Sequence, residues 1–129
     1  PDDAGQISVA IRDLIREGAE VLVLTGGMSV DPDDVTLAGI LGAGASDLLY
    51  GFPVLPGAMF LIARIGDVPV VGVPACAVYF QTTVFDLVFP RVLAGERFTR
   101  RAIASLGHGG LCLNCQECRF PGCAFGTGG

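Results

Sequence analysis

A short apolar run at residues 20–25, Glu-Val-Leu-Val-Leu-Thr, constrains the fold more than any other feature. It has the length of one strand, and Gly26-Gly27 end it directly. Apolar residues at helical spacing precede it over residues 7–15, and Gly18 supplies a stop for that helix. A further helix is predicted at residues 35–42. A buried strand between two helices predicts a three-layer α/β/α fold with a mostly parallel sheet.

Three more strands are predicted in the middle of the chain. Residues 46–50 are the weakest candidate. Residues 59–65 and 68–73 are both apolar, and Gly66-Asp67 between them is a turn dipeptide typical of a hairpin. The sequence therefore predicts that the last two strands are neighbours in the sheet.

The final third of the chain is predicted to be helical and then to lose regular structure. Residues 80–93 are apolar at helical spacing, although Pro90 should bend this helix or end it early. Residues 99–106 predict a short basic helix. We therefore expect one α/β domain over residues 1–106 and a short Cys-rich metal-binding tail over residues 107–129.

Composition excludes several classes of partner. The chain is 51% hydrophobic with a mean hydropathy of +0.61, but its longest apolar run, residues 68–80, is broken by Pro69 and Pro74. That run is too short for a bilayer span of roughly 20 residues. The net charge is −5 and there is no basic stripe, so nucleic acid is not expected as a partner. The clustering of four cysteines near the end of the chain is typical of a reduced, intracellular metal site, so a cytoplasmic protein is expected.

The glycine pair is a candidate ligand site. In α/β folds the carboxyl ends of buried strands are where ligands bind, and glycine lets a ligand approach the backbone. Thr25 and Ser29 add hydroxyl groups, and free amide groups before the next helix suit a phosphate. The alternative is purely structural, because strand-Gly-Gly-helix connections are common.

Three carboxylates, Asp31, Asp33 and Asp34, follow the glycine pair within one loop. Clustered carboxylates raise one another's pKa, and proteins use such clusters to hold a divalent cation or to position a proton. The alternative interpretation is a solvated turn in which Asp34 caps the next helix.

This segment resembles the signature of the molybdenum-cofactor biosynthesis domain, which molybdopterin adenylyltransferases and molybdotransferases share. Residues 25–27 and 32–36 are similar to the Thr-Gly-Gly and Pro-x-Asp-Val-Thr of the first group. Gly26-Gly27, Ser29, Val30 and Asp34 are similar to the Ser-Gly-Gly-Val-Ser-Val-Gly-Asp-Tyr-Asp of the second. The resemblance implies that Asp34, with Asp31 or Asp33, acts in Mg²⁺-assisted chemistry on molybdopterin.

Later segments resemble the molybdotransferases in particular. Residues 55–57, Leu-Pro-Gly, are similar to their Lys-Pro-Gly-Lys-Pro loop, and residues 70–74 to the strand before their Leu-Pro-Gly-Asn-Pro loop. The family's two lysines are replaced by Leu55 and Ala58, so the expected anion-binding charge is absent. The cofactor-binding residues that the resemblance implies are Thr25, Gly26, Gly27, Met28, Ser29, Pro56, Gly57, Pro74 and Ala75.

The resemblance also bears on completeness and assembly. A full domain of this family has a strand and a helix before Asp2, so the first βα unit is expected to be missing. Either the chain is a fragment, or a neighbouring chain completes the sheet. Family members are commonly oligomeric, which implies a homo-oligomer. Cys76, in the loop after the predicted strand at residues 68–73, is interpreted as a buried small hydrophobe or as a sulfur contact to the ligand.

Four of the five cysteines fall in the tail as C-x2-C-x2-C-x4-C. This clustering is typical of a metal site rather than of a disulfide scaffold. Zinc takes four thiolates tetrahedrally and is the favoured metal; the first three cysteines also fit iron–sulfur binding, and unliganded thiols are the remaining alternative. The predicted ligands are Cys112, Cys115, Cys118 and Cys123.

Two functions follow from the resemblance. The first is a transferase of molybdenum-cofactor biosynthesis that inserts molybdate into bound molybdopterin. The second is a non-catalytic molybdopterin carrier whose tail docks on a molybdoenzyme. The missing lysines favour the carrier, and the acidic run favours the enzyme. A third hypothesis is that the cysteine tail is an interaction module attached to an inactive domain. It predicts no affinity for pterin.

Overall fold

The computed structural model describes residues 3–28 and 34–128. None of the helices in these two ranges is long and apolar enough to cross a membrane. Within these ranges the chain forms four α-helices, four strands and one 3₁₀ helix. They are α1 (Ala4–Arg16), β1 (Leu22–Thr25), α2 (Val35–Gly42), β2 (Ser46–Tyr50), β3 (Leu61–Ile65), β4 (Val68–Val73), the 3₁₀ helix (Ala75–Tyr79), α3 (Val84–Leu93) and α4 (Arg100–Ser105).

The strands form one sheet in the order β1-β4-β3-β2. β1 runs parallel to β4, with Leu22 opposite Val70 and Thr25 opposite Val73. β3 is antiparallel to both β4 and β2. The predicted α/β class and the hairpin are confirmed, but a mostly parallel sheet is not, since one of the three described strand pairs is parallel. The tight turn at Gly66, where φ is +59°, reverses the chain and makes the β3–β4 pair antiparallel.

Side chains of β3 and β4 divide between two apolar clusters. Leu61, Ala63 and Val70 belong to a cluster that includes residues of α1 and α2. Ile62 and Val71 belong to another, which includes residues of α3 and α4. Because successive side chains of a strand point to opposite faces, the two clusters cover opposite faces of the central strands.

Helices α1 and α2 pack closely because Gly39 has no side chain. A Cβ atom at this position would lie 2.5 Å from Cγ2 of Ile7. The close approach lets the buried hydroxyl of Ser8 donate to the carbonyl oxygen of Gly39 over 2.6 Å. At the start of α1, Asp3 is the N-cap, and its side chain accepts from the amide of Gln6 over 2.8 Å.

Helix α3 starts later than the sequence predicted and ends at the predicted residue. Thr83 caps it: its hydroxyl accepts from the amide of Phe85, and Asp86 accepts from the amide of Thr83. The helix then runs through Pro90 to Leu93, so of the two predicted effects of Pro90 an early end does not occur, and a bend stays a prediction.

The cysteine tail packs on the α/β unit. Leu55 donates its amide to the carbonyl of Gly110 and accepts from the amide of Cys112, over 2.7 and 2.8 Å. Further along, Gly126 donates to Gly109 over 2.8 Å, and Phe125 is buried in the same apolar cluster as α3. The tail is therefore anchored at both ends by contacts with the protein itself.

Candidate functional site

The glycine pair lies where the carboxyl ends of β1 and β4 meet. Thr25 is paired with Val73, and the amide of Gly26 donates to the carbonyl of Val73 over 3.1 Å. The chain then leaves β4 through Pro74. The predicted ligand loop after β1 and the predicted loop after β4 are thus neighbours at one sheet edge. In α/β folds, ligands bind at this position, outside the carboxyl ends of the parallel strands.

Both glycines adopt a conformation that side chains rarely allow. The φ angles are +77° at Gly26 and +64° at Gly27. A Cβ on Gly26 would meet nothing within 4 Å, whereas one on Gly27 would lie 1.9 Å from Oγ1 of Thr36 and 3.0 Å from Oδ1 of Asp34. Gly27 is therefore required by packing against the start of α2. Gly26 leaves open space beside its backbone.

Asp34 caps α2, as the structural alternative predicted. Its Oδ1 accepts from the amide of Thr36 over 3.1 Å, and its backbone is extended, as at a typical N-cap. A carboxylate has about four acceptor sites, so capping does not use up its capacity to bind a cation. Burial raises the pKa of Tyr50 above its ordinary value, and the charge of Asp34 raises it further. The catalytic role of Asp34 remains a prediction.

The other predicted residues of this loop divide into two groups. Asp31, Asp33 and Ser29 lie outside the described residues. Met28 is described, and its side chain is 3% exposed, in the cluster shared with α1 and α2. A Cβ at Gly72 would lie 3.0 Å from Cε of Met28. The Met28 side chain therefore packs over β4 at Gly72, which has no side chain of its own. Met28 is buried as a whole residue, and its predicted contact with the cofactor remains a prediction.

Pro56 and Gly57 pack against the start of α3. The carbonyl of Pro56 accepts from the amide of Val84 over 3.1 Å, and a Cβ on Gly57 would lie 2.5 Å from Cγ1 of Val84. The described contacts of this loop are therefore with α3 and, through Leu55, with the tail. Its predicted part in binding the cofactor remains a prediction.

The loop after β4 is more exposed than the sequence indicated. Pro74 is buried, whereas Ala75 and Cys76 are exposed. The interpretation of Cys76 as a buried hydrophobe is wrong, because the chain forms a surface 3₁₀ helix there instead of continuing the core. Val78 and Tyr79, in the same helix, are 79% and 83% exposed. Apolar side chains thus stand in solvent close to the ligand loops.

The four tail cysteines line one cavity of about 260 Å³. Its wall also includes Thr82, which precedes α3, and Phe120 and Phe125 of the tail. The sequence predicted that these four cysteines form one group, and the structure brings all four to one space. Sequence reasoning missed Thr82 as a member of this site, since nothing in the local pattern connects it with the tail.

Thr82 contacts one of the cysteines directly. Its Oγ1 lies 3.1 Å from Sγ of Cys118. The hydrogen bond with Thr82, and a second one with the backbone of Phe120, lower the pKa of the Cys118 thiol below its ordinary value. Thr82 is 4% exposed, so the core holds this hydroxyl in place.

An α/β sheet with a glycine loop at the carboxyl ends of two parallel strands defines a class of small-molecule-binding domains. Residues 1–94 match the family model described as "Probable molybdopterin binding domain". The chain belongs to this molybdopterin-binding domain family. No curated protein matches the chain. The matched region contains the glycine loop and the loop after β4, and it ends before the cysteine tail.

Proposed function

We propose that the edge formed by Gly26, Gly27 and the loop after β4 binds molybdopterin, and that the chain inserts molybdate into it. The observation that carries the proposal is the meeting of two ligand-type loops at the carboxyl ends of parallel strands, joined by the Gly26–Val73 hydrogen bond. The open space beside the backbone of Gly26 leaves room for a phosphate to approach. The two apolar clusters support a three-layer arrangement around this edge.

Asp34 is the carboxylate to which we assign the chemistry. It is the N-cap of α2, and Gly27 packs directly against it. A cation held there, with Asp31 or Asp33 as further oxygen ligands, would lie beside a phosphate at the glycine loop. Mg²⁺ is bound in this way in many phosphate sites, by one or two carboxylates together with phosphate oxygens.

A matched pair of glycine variants tests the binding site. Gly26→Ala and Gly66→Ala both place a side chain at positive φ, +77° and +59°, and neither Cβ meets an atom within 4 Å. Each should therefore cost a similar amount of stability, about 1–2 kcal/mol. Gly66 lies in the β3–β4 turn, at the opposite end of β4 from Gly26. Only Gly26→Ala should weaken anaerobic molybdopterin binding, by tenfold or more, as measured by pterin fluorescence.

Equal affinities in the two variants would remove the glycine loop from the binding site. No pterin affinity in the unaltered chain would remove the cofactor function altogether and leave the third hypothesis, an interaction module.

A carrier without catalysis is the second candidate. The observation that favours it is the pair Leu55 and Ala58, which stand where the molybdotransferases have lysines. Asp34→Asn separates the two, because asparagine caps helices about as well as aspartate but carries no charge. An enzyme would lose molybdate insertion while retaining pterin binding. A carrier would deliver cofactor to an apo-molybdoenzyme as well as the unaltered chain does.

A further inference from the structure

The four cysteines of the tail surround a space that a single metal ion would not fill. Cys112, Cys115, Cys118 and Cys123 all line the cavity of about 260 Å³. We propose that this cavity holds a [4Fe–4S] cluster with these four thiolates as its ligands. The family match ends at residue 94, so membership of the family assigns no function to this part of the chain. The proposal does not depend on the molybdopterin site.

The first argument is that the four cysteines line one cavity although, among the described residues, no group of three or more such side chains could hold a single ion. One zinc ion at about 2.3 Å from four thiolates would draw the sulfurs to about 3.8 Å from each other. Within residues 3–28 and 34–128, no three side chains of His, Cys, Asp or Glu converge closely enough to hold one ion. The cysteines are nevertheless arranged around one common cavity. Side chains that share a cavity without converging on a point suit a polynuclear cluster, whose several irons each take one thiolate.

The second argument is the path of the chain. Three cysteines follow one another at intervals of three residues, a spacing that occurs in cluster-binding proteins. Asn114, between the first two, has φ +48°. The turn in which Gly122 donates to the carbonyl of Arg119 over 2.7 Å brings the fourth cysteine back to the same cavity. The positive φ at Asn114 and the turn at Gly122 are two changes of chain direction between cysteines that line the same cavity.

The third argument is that hydrogen bonds and packing within the protein hold the segment that lines this cavity. The backbone hydrogen bonds of Leu55 fix the entry to the tail, and the Gly126–Gly109 bond ties its two ends together. Phe125, 6% exposed, anchors the wall of the cavity in the core. A zinc-stapled tail depends on its metal for its fold, whereas this one has packing of its own.

The fourth argument is the chemical character of the wall. Leu113, Phe120 and Phe125 give the wall a largely apolar character, although Cys115, Cys118 and Cys123 are exposed to solvent. Arg119 contributes a positive charge to the lining, opposite in sign to a thiolate-bound cluster. The hydroxyl of Thr82 can donate to the sulfur of Cys118 once that thiol has released its proton to solvent.

The test is anaerobic reconstitution of the full chain with ferrous iron and sulfide, in competition with zinc. We expect about four iron and about four sulfide atoms per chain, a broad visible absorption that falls on reduction, and an electron paramagnetic resonance signal in the reduced state. Cys115→Ser should lose most of the iron and sulfide. The matched control is Cys76→Ser, which removes an exposed thiol outside the tail and should retain the full content.

Three results would overturn the proposal. These are zinc bound without sulfide, two irons per chain instead of four, and no metal retained after reconstitution. Circular dichroism checks that Cys115→Ser is folded. If that variant does not fold, native mass spectrometry of the unaltered chain decides, because the added mass distinguishes a [4Fe–4S] cluster from zinc. Pterin binding is measured on the same samples, so that a failure of the cluster is separated from a failure of the molybdopterin site.

Discussion

The hydroxyl oxygen of Thr82 lies 3.1 Å from Sγ of Cys118, 36 residues further along the chain. This contact joins the segment before α3 to the cysteine tail. The same segment follows the loop after β4, where we place the molybdopterin site. The two candidate sites are therefore linked by residues 74–83, a short stretch of chain.

Removing the Thr82 hydroxyl should change the reduction potential of the proposed cluster without preventing its assembly. A hydrogen bond to a ligand sulfur stabilises the more negative, reduced state, so its loss should move the reduction potential to a more negative value. Thr82→Val has nearly the same shape and fits the same buried position. A redox titration followed by visible absorption measures the shift.

Thr82→Ser is the control, because it keeps a hydroxyl at the same position. Its potential should stay close to that of the unaltered chain. If Thr82→Val and Thr82→Ser have the same potential, the contact with Cys118 has no influence on the cluster.

The charge of Asp34 should be measurable through Tyr50. Burial raises the pKa of Tyr50 first, and Asp34 raises it second, so Asp34→Asn should lower this pKa part of the way towards its ordinary value. A raised pKa means that the neutral tyrosine stabilises the fold below about pH 10, and that this contribution is lost as the pH rises through the folded-state pKa. Ultraviolet absorption of tyrosinate follows the titration.

The chain has two tyrosines, and Tyr79 is 83% exposed, so Tyr79→Phe leaves Tyr50 as the single absorbing group. In this background, Mg²⁺ bound at Asp34 should also lower the pKa of Tyr50, because it offsets the carboxylate charge. An unchanged pKa with excess Mg²⁺ would argue against a cation at Asp34.

Local signals in the sequence were sufficient for most elements. The predicted helix at residues 35–42 and the predicted strand at residues 46–50 coincide with α2 and β2. Gly66-Asp67 correctly predicted a hairpin. The start of α3 was missed although its signal was present, since Thr83 and Asp86 are spaced as in a capping box. The apolar periodicity begins ahead of this cap, at residue 80, so it indicates an earlier start of the helix than the capping box does.

What the sequence could not supply is non-local. The pairing of β1 with β4 sets the edge at which the glycine loop lies, and no local pattern encodes it. The exposure of Cys76 depends on how the chain leaves the sheet after Pro74. The cavity formed by the four cysteines depends on Thr82 and on the anchoring of the tail by Leu55. The cysteine spacing predicted a metal site but left open which metal it takes.

The pair Arg91 and Glu96 should give a small dependence of stability on acid pH. The guanidinium donates from Nε to Oε2 over 2.7 Å, and this hydrogen bond holds the pKa of Glu96 below its ordinary value. A lowered pKa stabilises the fold above the unfolded-state pKa, and this contribution is lost as the pH falls through the folded-state value. The pair is largely exposed, so the contribution should stay below about 1 kcal/mol.

Arg91→Met should return the pKa of Glu96 to its ordinary value, as followed by nuclear magnetic resonance of the carboxyl carbon. Arg91→Lys keeps a charge but loses the two-point contact, so it should give an intermediate pKa. Equal pKa values in the two variants would mean that the positive charge alone has no effect on Glu96 and that the lowering comes from the two-point hydrogen bond of Arg91.

The close contact of α1 and α2 should make Gly39→Ala destabilising. Alanine normally favours a helix over glycine by about 0.8–1 kcal/mol. At this position, however, its Cβ would lie 2.5 Å from Cγ2 of Ile7 and 3.2 Å from the carbonyl oxygen of Ala4, so the helices must separate. Separation would also stretch the bond from Ser8 to the Gly39 carbonyl. We expect a loss of about 1–3 kcal/mol in the free energy of unfolding, measured by urea denaturation.

A double-mutant cycle with Ile7→Ala tests the cause. Truncating Ile7 removes the side chain that blocks the new Cβ, so the double variant should lose less stability than the sum of the two single variants. The helix propensity of alanine does not depend on Ile7, and it cancels in the cycle. Additive losses would show that the cost of Gly39→Ala comes from the backbone at Ala4, and a gain in stability would show that the two helices are not in close contact at Gly39.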